Sequence, residues 1–202
     1  MGVAEPRGSE LADLGSAVLR GESVFAHNTG VCVEDSHIGT KVHLGSGSIY
    51  WDGWLNVDLH GHKADLKCDL RKLELPDDHA SVAVAIHVIE HFYLWDATTV
   101  LREWRRILKP GGVLILELPC MDKVFHYIAS CMNSKSPLLS SFSWFAFWGD
   151  PSHRSEAMCH KWGYTIDSIK ELVTAAGFEG VVSTKPRYHF PARDMRIEAC
   201  KP

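Results

Sequence analysis

The strongest pattern in the chain is SVAVAIHV, Ser81 to Val88, which is apolar almost without a break. A run of that length without polar alternation is expected of a parallel strand buried on both faces. A helical pattern follows it. Val100, Leu101, Trp104, Ile107 and Leu108 recur at helical spacing, and Asp96 stands where an N-cap is expected. Lys109-Pro110-Gly111-Gly112 ends that helix, and Val113–Leu118 reads as a further buried strand. Upstream, Lys41–Leu44 is a short strand running into Gly45-Ser46-Gly47; Trp54–Asp58 is a second strand and Ala64–Asp69 a third, weaker one. Downstream, Thr165 is the expected cap of a helix that turns Ile169, Leu172, Val173 and Ala176 inward. Gly177 stands at the left-handed position past its end, with Phe178 packing back. Gly180–Lys185 and Asp194–Cys200 read as two last strands; in the second, Met195, Ile197 and Ala199 share one face, Arg196 and Glu198 the other.

Strands alternating with helices predict an open α/β sheet. Such sheets bind ligands at the carboxyl ends of their parallel strands. The regular part, residues 41–202, reads as a single domain. Residues 1–40 read as an N-terminal cap or arm, with a helix from Glu10 to Arg20 placing Leu11, Leu14, Val18 and Leu19 on one side. Residues 120–164 are irregular and rich in aromatics. Phe142–Trp148, FSWFAFW, holds five aromatics in seven residues and suits a buried helix, a pocket wall or the face of a homodimer; burial of most of it is the expectation.

Composition narrows the function classes. With 46% hydrophobic and 23% charged residues, the 202-residue chain has the balance of a soluble globular protein. A net charge of −4 without a basic block argues against nucleic-acid or membrane-surface partners. No run of about 18 apolar residues is present, and the first residues lack the order of a signal peptide, so a cytoplasmic protein without membrane insertion is expected. Six scattered cysteines without a Cys-x-x-Cys pair fit reduced thiols. Twelve histidines are many, but the spacings His60–His62 and His153–His160 match no zinc motif, and no metal is expected.

The turn Gly45-Ser46-Gly47 leaves the first strand at its carboxyl end, where the missing side chains let a ligand approach the backbone. A dinucleotide fingerprint needs a third glycine, and Tyr50 occupies that place. Asp58 follows Gly45 by only 13 residues, against about 20 in that fingerprint. A pyrophosphate is therefore disfavoured. Carboxylates ending two strands, Asp58 and Asp69, suit the hydroxyls of a ribose and the amino group of an adenine, so a nucleoside without phosphates fits.

These motifs in this order, LGSG, GWLNVDL, CDL, IHVIEHF and LKPGGVLILELP, resemble class I S-adenosylmethionine-dependent methyltransferases. More narrowly, they resemble small bacterial methyltransferases linked with polysaccharide or natural-product pathways. The resemblance covers Lys41 to Pro119, and more weakly HKWGYTIDSIKELVTAAGF and RDMRIEACK. It departs at His43, where the family often has an acid. It implies a Rossmann-like, mainly parallel seven-stranded sheet with helices on both faces and an antiparallel last strand. It implies S-adenosyl-L-methionine as cofactor, with Gly45, Ser46 and Gly47 along its methionine part, Asp58 and Leu59 at the ribose, Asp69 and Leu70 at the adenine, and His87 near the methionine end. Residues 120–164 would form an insertion on the acceptor side.

A sulfonium methyl group is already electrophilic, so the protein's task is to align an acceptor for in-line attack. A hydroxyl acceptor also needs a base with a pKa near neutral. The resemblance turns Glu90 and His91 toward the cofactor and acceptor, and His91 is the first candidate base. GDPSHRSEAMCHKWGY supplies a second region, with Asp150, His153, Arg154 and His160; His153 is the candidate there, and Arg154 suits an anionic acceptor group. The function expected is methyl transfer to a small-molecule or saccharide acceptor. The alternatives are a binding module without turnover and a nicotinamide-dependent dehydrogenase. Base methylation is disfavoured, because His87-Val88-Ile89-Glu90 stands where an Asn-Pro-Pro-Tyr-type motif would be.

Overall fold

The computed structural model describes residues 40–132, 142–150 and 153–202. The helix expected at Glu10–Arg20, and the arm around it, lie outside them. Among the described residues six strands form one sheet: β1 Thr40–Leu44, β2 Leu55–Val57, β3 Ala80–Ile86, β4 Leu108–Pro119, β5 Glu179–Thr184 and β6 Asp194–Cys200. Among the described residues four α-helices accompany them: α1 Leu94–Ile107, α2 Met121–Met132, α3 Phe142–Trp148 and α4 Ile166–Ala175. The spatial order is β2-β1-β3-β4-β6-β5. β1, β2, β3 and β4 pair in parallel, and β6 runs antiparallel to both of its neighbours. The open, mainly parallel α/β sheet with an antiparallel last strand is thus present.

The sheet differs from the expected seven strands at one edge. Ala64–Asp69 makes only an isolated parallel bridge, Val57 to Leu66. The reason lies in Asn56. Its carbonyl takes the N–H groups of both Asp65 and Leu66, at 2.8 and 3.1 Å. The Asp65 carboxylate in turn accepts the Asn56 backbone N–H at 2.8 Å and its side-chain amide at 3.0 Å. A side chain thus stands in for part of the ladder, and the chain leaves after one bridge.

α1 begins at Leu94 with Tyr93 at its N-cap, earlier than the expected start at Asp96. Asp96 lies in the first turn instead, where a carboxylate meets the positive end of the helix dipole. α4 has the expected cap: Thr165 accepts from Ser168, and the Ser168 hydroxyl accepts from the Thr165 backbone. Gly177 follows with φ +95°, and Phe178 is buried against the helix end.

α1 and α4 pack on each other and on one face of the sheet. Trp104, Leu101, Ile107, Val173 and Phe178 meet Leu44, Leu114, Leu116 and Ile197 there in the main core. The other face carries a smaller cluster of Trp54, Val84, Val113 and Ile115, with Trp51 and Tyr188 against it. α2 and α3 pack together in a third cluster around Met121, Val124 and Ala146. Trp148, at the end of the aromatic run, is 69% exposed, so burial does not extend to the whole of it.

Antiparallel pairing gives β6 a particular reach. Its first residue, Asp194, pairs with Pro119 at the carboxyl end of β4. The start of β6 therefore lies at the edge where β1, β2, β3 and β4 end.

Candidate active site at the carboxyl edge of the sheet

The glycine turn after β1 is closed from within. The N–H groups of Gly45 and Ser46 both donate to the Val57 carbonyl, at 2.8 and 3.1 Å. The Gly47 N–H donates to Asp58 Oδ2 at 2.9 Å. The amides that would hold a phosphate are therefore satisfied by β2 and by the acid that follows it. Gly45 has φ +69°, and a Cβ there would lie 2.5 Å from a Val88 methyl group. Asp58 Oδ1 accepts from His60 and Gly61 at 2.7 and 2.6 Å. Gly61 is needed at that spot, since a Cβ on it would lie 2.6 Å from the Gly47 carbonyl oxygen.

Beneath the turn, His43 is buried, stacks on Trp51 at 4.0 Å and faces Asn56 at 3.3 Å. Burial, only partly offset by Asn56 and by the charge of Asp58, lowers its pKa to about 4. A neutral histidine thus fills the place where the family often has an acid.

The other residues expected at the cofactor are spread along the same edge. Leu59 is 48% exposed beside Asp58. Asp69 is held by Arg71 in a forked pair, with contacts of 2.6 to 3.0 Å. Leu70 is buried in the main core, and its carbonyl accepts the Trp104 indole N–H at 3.0 Å.

Past β3 the chain tightens around His87, Glu90 and His91. His87 has φ +53°, a strained conformation for a residue with a side chain. Its backbone N–H donates to the Glu117 carbonyl at 2.7 Å. Its ring is held between two acids: Nε2 lies 3.1 Å from Asp194 Oδ2, and Nδ1 lies 3.1 Å from Glu90 Oε1. Burial pulls this imidazole toward its neutral form, but the two carboxylates outweigh it and lift its pKa to about 9. Glu90 and His91 form a single 3-10 turn with Ile89. The Glu90 backbone carbonyl accepts from Lys161 and Trp162, pinning the 160–162 segment over it. His91 Nδ1 faces the Cys159 carbonyl at 3.2 Å, and its ring meets that of His160 edge-on at 4.8 Å. A carbonyl only accepts, so Nδ1 carries the proton and Nε2 is left with the lone pair. Burial is the main cause holding His91 below the ordinary histidine pKa, toward the neutral form.

The structure therefore brings His87, Glu90, His91 and His160 together. His153 and Arg154 lie instead on an exposed stretch apart from this buried group. Sequence reasoning missed the residues that arrive from the far end of the chain. Asp194 is fully buried, and its carboxyl is held far below the ordinary value; desolvation opposes this, but His189, His87 and Arg193 outweigh it. His189 Nδ1 lies 2.7 Å and Arg193 Nε 2.7 Å from that carboxylate. Glu117 is equally buried and accepts three successive backbone N–H groups, from Arg187, Tyr188 and His189. It also pairs with Arg196, so β4 and β6 together fix the loop that carries His189.

Known proteins resemble this chain at several levels. A probable S-adenosylmethionine-dependent methyltransferase of Mycolicibacterium smegmatis is 43% identical over 51 residues, which is 25% of this chain and 19% of that one. The match thus spans about a fifth of that relative. A Thermotoga maritima protein described as an S-adenosylmethionine-dependent methyltransferase, possibly acting on histamine nitrogen, shares the fold at TM-score 0.56 and 17% identity, over 95% of this chain and 89% of that one. Human N-acetylserotonin methyltransferase, solved in complex with S-adenosylmethionine, does so at TM-score 0.51 and 16% identity, over 96% and 56%. Among the described residues no helix is long and apolar enough to cross a membrane. A family model described as a methyltransferase domain matches residues 13–184, a span that takes in β1 through β5, and by that match the chain belongs to the methyltransferase-domain family.

Proposed function

We propose that the protein transfers the methyl group of S-adenosyl-L-methionine to a hydroxyl of a small-molecule or glycan-type acceptor, releasing S-adenosylhomocysteine. The observation that carries this reading is the closed glycine turn. Its amides are used by Val57 and Asp58, which suits a cofactor without phosphates and leaves the Asp58 carboxylate to be assigned to the ribose in this reading. In this reading Gly45, Ser46 and Gly47 line the methionine part, Asp58 and Leu59 meet the ribose, Asp69 and Leu70 the adenine, and His87 the methionine end. The same closure speaks against a nicotinamide dinucleotide, whose pyrophosphate needs free amides.

His91 is the base of this reading. Its Nδ1 is occupied by the Cys159 carbonyl, so Nε2 is the atom that takes the acceptor's proton as the oxygen attacks the methyl carbon. Glu90, buried behind it, positions the turn through its backbone carbonyl and stabilises the imidazolium that forms. In this reading His153, on the exposed stretch, meets the acceptor rather than exchanging protons in the buried group.

Calorimetric titration with S-adenosylmethionine, S-adenosylhomocysteine and NADH tests the cofactor. One-site binding of the first two, lost in Asp58→Ala, is expected. Binding of NADH alone would overturn the reading. An assay of S-adenosylhomocysteine release across hydroxylated small molecules and saccharides then tests turnover. His91→Ala should lower kcat by about 10²-fold or more with cofactor binding kept. Cofactor binding without turnover on any acceptor would favour the binding-module alternative.

A further inference from the structure

We propose that His87 Nδ1, Glu90 Oε1 and His160 Nε2 form a binding site for a divalent transition-metal cation of the zinc type. The inference rests on these side chains alone and does not depend on methyl transfer.

The first observation is convergence. The three side chains come from the end of β3, the turn after it and the segment before α4, and their ligand atoms lie within 4.8 Å of one another. His87 Nδ1 is 3.1 Å and His160 Nε2 4.0 Å from Glu90 Oε1. Ligands about 2.0–2.1 Å from a tetrahedral zinc stand roughly 3.3 Å apart, so a small inward movement of His160 completes the set. Two imidazoles and one carboxylate, with a position left for water, make a ligand set of the kind found in open zinc sites.

The second observation is a buried carboxylate faced by imidazoles. Glu90 is 1% exposed, and the partner that faces it, His87 Nδ1 at 3.1 Å, is out of line for a hydrogen bond. The Tyr164 hydroxyl, whose pKa is raised by burial and then by the charge of Glu90, is also buried without a hydrogen-bond partner. Buried polar atoms in native proteins are almost always satisfied, and a buried carboxylate needs a cation or donors.

The third observation is how the histidines are held. His160 Nδ1 faces the Ala146 carbonyl at 2.9 Å, so it carries the proton and Nε2 presents its lone pair to Glu90. The Nε2–H of His87 donates to Asp194, leaving Nδ1 toward Glu90. Metal-binding histidines characteristically donate their second N–H to a carboxylate or a backbone carbonyl, which fixes ring and tautomer. Both forms of that support are present here.

A neighbouring group, His87, His189 and Asp194, also converges. There the cation's place is already taken, since the Arg193 guanidinium lies 2.8 Å from His189 Nδ1 and 2.7 Å from Asp194. Facing Glu90 Oε1 stands the His87 imidazolium, whose Nδ1 proton a bound metal would displace.

The test is uptake of Co(II) and Zn(II) by the full chain, stripped with chelator and dialysed. Stoichiometry would be measured by elemental analysis, and Co(II) geometry by its visible absorption. The expected result is one ion per chain, with tetrahedral Co(II) bands and no thiolate charge-transfer band. Affinity should fall more than about tenfold in His160→Ala and in Glu90→Gln. It should persist in His126→Ala, an exposed helix histidine, and in Cys159→Ser. Circular dichroism and S-adenosylmethionine titration report whether each variant is folded. If Glu90→Gln does not fold, His160→Ala decides. Absence of uptake by the folded wild-type chain would overturn the proposal, as would uptake that is unchanged in His160→Ala or that is lost in Cys159→Ser.

Discussion

Asp58 Oδ2 accepts the Gly47 N–H at 2.9 Å, so the acid that follows β2 also closes the turn that follows β1. Gly61 stands against both, with space for no Cβ. Gly61→Ala must push the Gly47 carbonyl or the Asp58 side chain aside. We expect S-adenosylmethionine affinity to fall at least about tenfold, the loss of one hydrogen bond to a charged group. Gly53→Ala is the comparison. Its φ is +76° but its surroundings are open, so it should cost roughly 1 kcal/mol of stability and leave binding unchanged. Calorimetry and urea melts on the two variants check the pair. Equal binding by both would show that the Gly47–Asp58 closure plays no part in holding the cofactor.

Asp69 is occupied by Arg71, a forked pair with side chains 35% and 58% exposed. Exposed pairs of this kind contribute little, about 0–1 kcal/mol. If the adenine amino group takes the same carboxylate, Arg71 competes with it. Arg71→Ala should then tighten S-adenosylmethionine binding up to severalfold, most clearly in low salt, whereas Asp69→Ala weakens it. A loss of affinity in Arg71→Ala would mean that the pair orients the loop rather than guarding the acid.

His43 gives the fold a dependence on acid. Its pKa is about 4 when buried and about 6.5 in the unfolded chain, so between these values the unfolded state binds the extra proton. Its contribution is complete above about pH 6.5 and is lost as the pH falls toward 4, reaching about 2 kcal/mol of destabilisation by pH 5. His43→Phe keeps an aromatic ring against Trp51 and removes the titration. Urea melts at pH 7 and pH 5 should show a larger drop for the wild type than for the variant. Equal drops would place the acid sensitivity elsewhere.

Arg196 is fully buried between Glu117 at 2.9 Å and Glu198 at 2.6 Å. Removing one member of a buried ionic group leaves the others uncompensated, at a cost of about 3–5 kcal/mol. Arg196→Met should show that loss in denaturant titration. Adding Glu198→Gln, which removes one of the two orphaned charges, should restore part of it. No recovery in the double variant would mean that the loss comes from Glu117 and its grip on the Arg187–His189 loop.

The elements most legible in the sequence were those whose signals are local. SVAVAIHV became β3 and DMRIEAC became β6 at its stated bounds, because an unbroken apolar run and a period of two depend only on neighbours. The Thr165 cap and the Gly177 stop were legible for the same reason. Ala64–Asp69 was not, because what dissolves that strand is a contact between Asn56 and Asp65 across a turn. Alternation in β6 marked Arg196 and Glu198 as sharing a face, but a polar face against solvent and one paired in the interior read alike. The His87–Asp194 contact joins residues 107 positions apart, and no spacing rule reaches that far.

The place of β6 inside the sheet has a kinetic consequence. β5 is made before β6, yet its described partner in the sheet is β6, which also supplies the seam to β4. As the chain emerges from the ribosome, the edge of β4 waits open until residues 194–200 arrive to fill it. That closing step joins segments about eighty positions apart, the slow kind of contact in folding. It also delivers Asp194 to His87. The half-made protein thus has a nearly finished sheet and an unfinished histidine cluster, and assembly of the two is a single late event.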